Sequence, residues 1–397
     1  MVVKVFNQTV VMFGLYVHIP FCLHKCHYCD FNSHVQADID WPAYQAALLT
    51  ELKQWSTQTQ FQHKQLKTIF FGGGTPSLAP PALIQAVVDA AYQHFDCAES
   101  VEVSLEANPG TVDMDHFTGY RQAGVNRLSI GVQSFDEQEL KWLQRIHSVD
   151  EVHRAFKIAR DVGFDNINLD LMYALPKQNI AHWLNHLEQA IALKPEHISA
   201  YQLTVEPHTL LAATHAKKPL PIADEDESLD FFWKTRALLQ ENNYQAYEIS
   251  NFSKPTLKCQ HNDAYWLYRD YIGIGAGANG KWDQLDGGVT RYRNHNQPQA
   301  YMTHIQDNKQ AISFQESLDS NTAASESLWL ALRRSEGVSL TWFEQRFQQK
   351  CHAMFGSVFK PWLQTGQLCE KNNRLFLAEH ALVMVDELAS QILDYDG

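Results

Sequence analysis

The chain has 397 residues, 45% hydrophobic and 19% charged, with a formal net charge of −13. That balance is globular and excludes disorder as the main state, and an acidic chain without a dense Lys/Arg block lacks the footprint of a nucleic-acid binder. Its seven cysteines comprise one tight triplet and the scattered Cys97, Cys259, Cys351 and Cys369, which is unlike a secreted disulfide framework and predicts a reducing cytoplasm.

In chain order, Met1–Phe13 is interrupted by Lys4, Asn7 and Gln8 and offers no signal-peptide core. No apolar run reaches membrane-spanning length. The period then reads strand, loop, helix: Leu15–Ile19, a loop holding Cys22, Cys26 and Cys29, and helix 41–55. The unit recurs. Strand 67–71 leads through Gly72-Gly73-Gly74-Thr75-Pro76-Ser77 into a helix over 81–92, and 101–106 leads through Ala107-Asn108-Pro109-Gly110-Thr111 into 113–123. Strands over 127–132, 166–172 and 197–203 follow, interleaved with helices over 137–144, 149–162, 180–193 and 227–241. Strands alternating with helices require crossover connections and hence a parallel sheet. The expected fold is α/β, a partial (β/α)6 TIM-like barrel over residues 1–245, with its chemistry in the loops that follow the strands. Residues 246–310 read as a connecting segment of loop and short strand, with a Gly-rich stretch at 273–280. Residues 311–397 read as a smaller, mostly α C-terminal domain: helices over 323–333, 340–347 and 355–364, a strand pair at 368–370 and 375–377, and a last helix over 381–393. That order is winged-helix-like, and the acidic charge favours a protein-contact or structural role over DNA binding.

Three thiolates spaced by three and two residues can converge on one inorganic centre, and soft sulfur suits iron–sulfur clusters, zinc or copper(I). A structural zinc would need a fourth ligand, for which His18, His24, His27 and Asp30 are near in sequence. The triple glycine allows close backbone approach to a ligand, but its spacing is neither that of a dinucleotide fingerprint nor that of a P-loop.

Taken together, the cysteine loop, with Tyr28 before its last cysteine, and the Gly-Gly-Gly-Thr-Pro loop resemble the radical S-adenosylmethionine superfamily. The resemblance implies that Cys22, Cys26 and Cys29 hold a 4Fe-4S cluster whose fourth iron is left to S-adenosylmethionine, and that Gly73, Gly74 and Thr75 hold the methionine amino group. Along nearly the whole chain the likeness extends to the branch of oxygen-independent coproporphyrinogen III oxidase. From it Tyr16, Glu106, Gln133, Arg145 and Asp170 carry over as cofactor-binding positions, and their chemistry is sensible: carboxylates suit an ammonium or ribose hydroxyls, and Arg suits a carboxylate.

Two departures speak against porphyrinogen oxidation. Phe31 stands where the oxidase has a fourth cysteine, and the 21 residues before Cys22 are fewer than in the oxidase's N-terminal arm. Cys259-Gln260-His261-Asn262-Asp263-Ala264-Tyr265-Trp266 contains instead the His-Asn-x-x-Tyr-Trp motif of the HemW-type haem chaperones. That likeness implies haem as cargo, His261 as its iron ligand, haem-requiring acceptor proteins as partners, and a homodimer with at most peripheral membrane association. Cluster and cofactor would then be structural or regulatory. Asn279, where relatives commonly carry His, receives no ligand role.

Overall fold

The computed structural model describes residues 11–394 of the chain. The reading of the N-terminus as lacking a leader therefore lies mostly outside the described residues. Six strands alternate with helices as the periodicity predicts: β1 (Val11–Ile19), β2 (Lys64–Gly73), β3 (Cys97–Ala107), β4 (Arg127–Gln133), β5 (Ile167–Tyr173) and β6 (His197–Gln202). Between them run α1 (Trp41–Ser56), α2 (Pro81–His94), α3 (Met114–Gln122), α4 (Glu137–Trp142), α5 (Val149–Asp161) and α6 (Ile180–Ala192). Every neighbouring pair from β1 to β6 is parallel. Their side chains are buried nearly without interruption, as in Leu15, Val17 and Ile19 or Leu128, Ile130 and Val132, because helices cover the sheet.

Beyond β6 come α7 (Leu210–Lys217), α8 (Glu225–Glu241), the short strands β7 (Gln245–Ala246) and β8 (Asn251–Ser253), and α9 (Gln260–Trp266). The stretch expected as loop and short strand then supplies β9 (Asp270–Ile274), β10 (Asn279–Asp283), β11 (Val289–Asn294), α10 (Pro298–Gln306) and β12 (Ile312–Leu318). All of these strands join the same 12-stranded sheet, in the order β12-β11-β10-β9-β1-β2-β3-β4-β5-β6-β8-β7. β9 lies parallel to β1, and the strands outside it are antiparallel. The barrel is thus partial, and residues 246–310 extend its wall. The polar β12, Ile-Ser-Phe-Gln-Glu-Ser-Leu, exposes most of its side chains at the sheet edge, so its sequence lacks the alternation that marks a half-buried strand.

The C-terminal part has its own core, in which Leu328, Phe343, Phe355, Phe359, Leu375 and Leu388 are buried together. It comprises α11 (Ser320–Leu332), α12 (Leu340–Phe347), α13 (Cys351–Gln364) and α14 (Val385–Leu393) around a small sheet of Val338–Ser339, Leu368–Lys371 and Arg374–Leu377. A buried ion pair joins it to α9: Arg334 Nε donates to Asp263 Oδ1 at 2.7 Å. Among the described residues no helix is long and apolar enough to cross a membrane.

On the other side of the sheet, α1 is fastened to the late strands by one buried carboxylate. Glu51 accepts from Gly275 N–H at 2.9 Å, Tyr301 O–H at 2.7 Å and Asn294 Nδ2 at 2.7 Å. Burial pushes its carboxyl up to about 7. Glu51→Ala would leave Gly275 N–H and Tyr301 O–H buried without that acceptor, while Asn294 Nδ2 keeps Gly275 O at 3.0 Å, at a cost of about 3 kcal/mol. Urea unfolding measures it, and a loss below about 0.5 kcal/mol, the range of ordinary surface substitutions, would contradict the account.

Candidate functional site

The C-terminal ends of β1 to β6 meet one open cavity of about 380 Å³, the position at which parallel barrels place their chemistry. Cys22, Cys26 and Cys29 line one side of it. From the strand ends come Gly73, Gly74 and Thr75 after β2, Glu106 in β3, Gln133 at the end of β4 and Asp170 in β5, with Arg145 following α4. Of the residues predicted from the sequence, these lie together. Tyr16 and His261 are not among the lining residues.

The cysteine loop is held from several directions. His18 Nε2 meets Asn32 O at 2.8 Å and His18 Nδ1 meets Tyr16 O–H at 2.9 Å. His18 is buried, burial lowers its pKa, and both its nitrogens are occupied, so it is a scaffold for the loop. Leu211 N–H donates to His27 O at 2.8 Å, and the His27 ring packs edge-on against Trp142. The thiols of Cys22 and Cys29 are pushed up, mainly by burial, and Thr75 Oγ1 lies 3.4 Å from Cys22 Sγ. Two glycines are required here. Gly73 has φ +120°, and a Cβ on Gly74 would sit 2.7 Å from Phe21 O and 3.0 Å from Cys22 Sγ.

The donor set fits a cluster better than zinc. Three thiols beside the cavity leave one ligand position to a bound molecule, whereas a structural zinc wants a fourth protein ligand, and both ring nitrogens of the neighbouring His18 are already engaged. The remainder fits an amino acid with a cationic and an anionic end. Arg145 is half-buried, its Nη2 donates to Gly131 O at 3.1 Å and Nη1 approaches Cys26 Sγ at 3.8 Å, while its Nε has no partner among the described residues. A bound carboxylate satisfies that donor. Glu106 Oε2 accepts from Gly73 N–H at 3.2 Å and is an acceptor suited to an ammonium. A 4Fe-4S cluster bound here would supply an electron to S-adenosylmethionine, and Arg145, Glu106 and the glycine backbone are placed where they would hold and orient the latter.

Asp170 sits at the end of a directional hydrogen-bond chain. Its oxygens accept from Asn168 Nδ2 at 2.8 Å and Ser129 Oγ at 2.9 Å. Asn168 Oδ1 meets His197 Nδ1 at 2.6 Å, His197 Nε2 meets Tyr247 Oη at 2.9 Å, and Tyr247 Oη accepts from Asn262 Nδ2 at 3.2 Å. His197 is buried, and burial, with Arg127 second, lowers its pKa strongly. In the neutral ring Nδ1–H donates to the amide oxygen, so Nε2 accepts from the tyrosine. Every donor from Asn262 onward therefore points toward Asp170.

Asn262 belongs to α9, which carries the His-Asn-x-x-Tyr-Trp motif and enters the sheet interior near the early and middle parts of the strands. Glu102 receives the start of this helix, accepting from Gln260 N–H and His261 N–H at 3.1 Å each. The His261 ring stacks on Phe70 at 5.1 Å between centroids, Nδ1 meets Thr68 Oγ1 at 2.7 Å, and Nε2 meets Tyr265 Oη at 2.9 Å. It is 2% exposed, and burial, then Arg127, lowers its pKa to about 3. Tyr16 stacks between this ring and the cavity. Sequence reading missed the further lining residues Asn108, Ser129, Met172, Tyr201, Thr204 and Glu206; their signal was position, since most of them lie at or just beyond a strand end.

Fold and site together define a radical S-adenosylmethionine scaffold, and residues 16–190 match the Radical SAM superfamily. The chain is similar to the heme chaperone HemW of Escherichia coli K12, 45% identical over 73% of this chain and 75% of that protein. It is also similar to that of Bacillus subtilis, 31% identical over 96% and 99%. The chain belongs to the HemW family of haem chaperones. The coproporphyrinogen III oxidase HemN of Escherichia coli shares its fold, with a TM-score of 0.81 at 21% identity over 97% of this chain and 91% of that one.

Glu106 gives the site a measurable pH dependence. Burial, with Asp170 second, pushes its carboxyl up to about 8 from the ordinary 4.5. The folded protein keeps a proton that the unfolded chain releases, so this group's contribution to stability is greatest below about pH 4.5 and declines as pH rises to about 8. Glu106→Gln removes the decline. Urea midpoints of both proteins across that window test this, and parallel profiles would contradict it.

Proposed function

We propose that this protein binds haem and passes it to a haem-requiring acceptor protein, with a 4Fe-4S cluster and S-adenosylmethionine in the strand-end cavity serving a structural or regulatory role. We further propose that the exchange takes place in the cytoplasm. Family membership supports the cargo. The observation that carries the reading is the lining of the cavity, to which Leu23, Phe31, Ile146 and Tyr201 contribute while each remains 40–60% exposed. Exposed apolar side chains grouped in this way mark a binding surface, and a macrocycle offers the matching flat apolar face. Phe31, which replaces the oxidase's extra cysteine, contributes apolar area there.

Two imidazoles compete for the iron. The motif assigns it to His261, whose ring would first have to leave Thr68 and Tyr265, with α9 displaced from its buried seat. His24 is exposed in the same lining as Phe31 and needs no rearrangement. We therefore favour His24 as the ligand of first contact, with Lys25 beside it to meet a propionate. His261, in this reading, ties the motif helix to the barrel, and the chain from Asn262 to Asp170 connects that helix to the cofactor cavity.

Haem titration separates the two. His24→Ala should weaken haem binding at least about tenfold and shift the Soret band, since an axial imidazole sets the iron's spectrum, while His261→Ala should leave the spectrum unchanged and lower stability. The reverse pattern would return the ligand role to His261. Unaltered binding in both variants would remove the cavity lining and the motif alike from the haem site.

A further inference from the structure

Beside the loop that follows β4, a second set of ligand-type side chains is drawn together. Glu139 on α4 and His182 and His186, one turn apart on α6, bring one oxygen and two ring nitrogens within 4.8 Å of one another. None of them lines the cofactor cavity. His182 Nδ1 stands 3.5 Å from Glu139 Oε1, and His186 Nδ1 stands 3.5 Å from Glu139 Oε2. Both separations exceed those of N–H···O hydrogen bonds. An ion about 2.0–2.1 Å from each ligand in a tetrahedral arrangement would set neighbouring ligand atoms roughly 3.3 Å apart. The two 3.5 Å separations run to different oxygens of Glu139, and the three ligand atoms together, within 4.8 Å, need close in only slightly around one ion.

The surroundings are those of an organised site. Ser134 Oγ donates to Glu139 Oε2 at 2.6 Å, and Gln178 Nε2 donates to both carboxylate oxygens at 3.0 and 3.2 Å. The carboxylate is thus fixed from behind. Asp136 uses Oδ1 to cap α4, accepting from Gln138 N–H and Glu139 N–H, and turns Oδ2 toward His182 Nε2 at 3.6 Å. A carboxylate behind an imidazole is the outer-shell arrangement that orients metal-ligating histidines. The side chains of His186 and Glu139 are 1% and 12% exposed, and that of His182 is 40% exposed, so an ion has a path from solvent.

We propose that Glu139, His182 and His186 form a binding site for Zn²⁺, with a fourth position open to water. Two imidazoles and one carboxylate suit this borderline cation. The ion fastens the loop after β4 to α6. Ser134, which braces the glutamate, follows Gln133, a cavity residue held at φ +67°, so the metal stiffens one wall of the cofactor site from outside.

The test is a Co²⁺ titration of the full chain carrying Cys22→Ala, Cys26→Ala and Cys29→Ala, so that the loop thiols do not compete, with cluster-loaded wild type in parallel. One equivalent should bind with visible d–d absorption and be displaced by Zn²⁺. His182→Ala, at a half-exposed position that folding tolerates, should abolish the signal with an unchanged circular dichroism spectrum. The near-isosteric Glu139→Gln should abolish it as well. Ser134→Ala, behind the carboxylate, should weaken binding by roughly ten- to a hundredfold. Parent-like Co²⁺ affinity in His182→Ala and Glu139→Gln, or no saturable equivalent in the parent, overturns the proposal.

Discussion

Among the contacts that hold the cysteine loop, one side-chain amide ties it to a distant part of the chain. Asn32 Nδ2 donates to Ala276 O and to Asn296 O, both at 3.0 Å, while its backbone oxygen meets the His18 ring. The Gly-rich turn between β9 and β10 exists in the form that this contact needs: Gly277 has φ +80°, and a Cβ there would fall 2.1 Å from Asn32 Nδ2. The turn is itself held by α1, through Glu51 and through Tyr44, whose hydroxyl donates to His18 O and accepts from Ala276 N–H. Residues more than two hundred positions apart therefore decide where three thiols stand. A short loop of this composition has no packed core of its own, so its geometry is borrowed from the wall behind it.

The same interior carries a second, polar line of communication. A parallel barrel interior is usually apolar, yet here Glu102, Arg127, Asn168, His197 and His261 are buried within it. Burying so many polar groups is tolerable only because nearly all are paired, and the pairing has a direction. Donors run from Asn262 through Tyr247, His197 and Asn168 to the carboxylate of Asp170. Contiguous hydrogen bonds thus connect the motif helix with the cofactor cavity. The two features that the sequence makes conspicuous, cysteine loop and haem-chaperone motif, lie at opposite depths of one barrel and are joined by this chain.

Much of this was legible in advance, for reasons that are local. Six buried strands announce themselves as apolar runs, parallel barrels put their chemistry at the strand ends, and the individual cavity residues were carried over from the family resemblance. Three things were not. The strands from Asp270 to Leu318 are polar, glycine-rich or at the edge, so it is successive pairing outward from β1, which only β9 touches, rather than their own period that makes them strands. Tyr16 and His261 belong to motifs, and a motif says which residues recur without saying which way a ring points; here both rings face the barrel interior. The cluster at Glu139, His182 and His186 is split between two helices with a crossover between them, and only packing of α4 beside α6 brings it together.

A radical S-adenosylmethionine scaffold on a chaperone-family chain poses the central question of whether the scaffold carries or transforms a tetrapyrrole. Fold cannot decide it, since the carrier and the oxidase share one. Cluster-reconstituted protein, incubated anaerobically with S-adenosylmethionine and a reductant, should be divided between haem-loaded samples mixed with an apo-haemoprotein and samples given coproporphyrinogen III. The account predicts holo-acceptor in the first and no protoporphyrinogen IX in the second; protoporphyrinogen IX without haem transfer would contradict it.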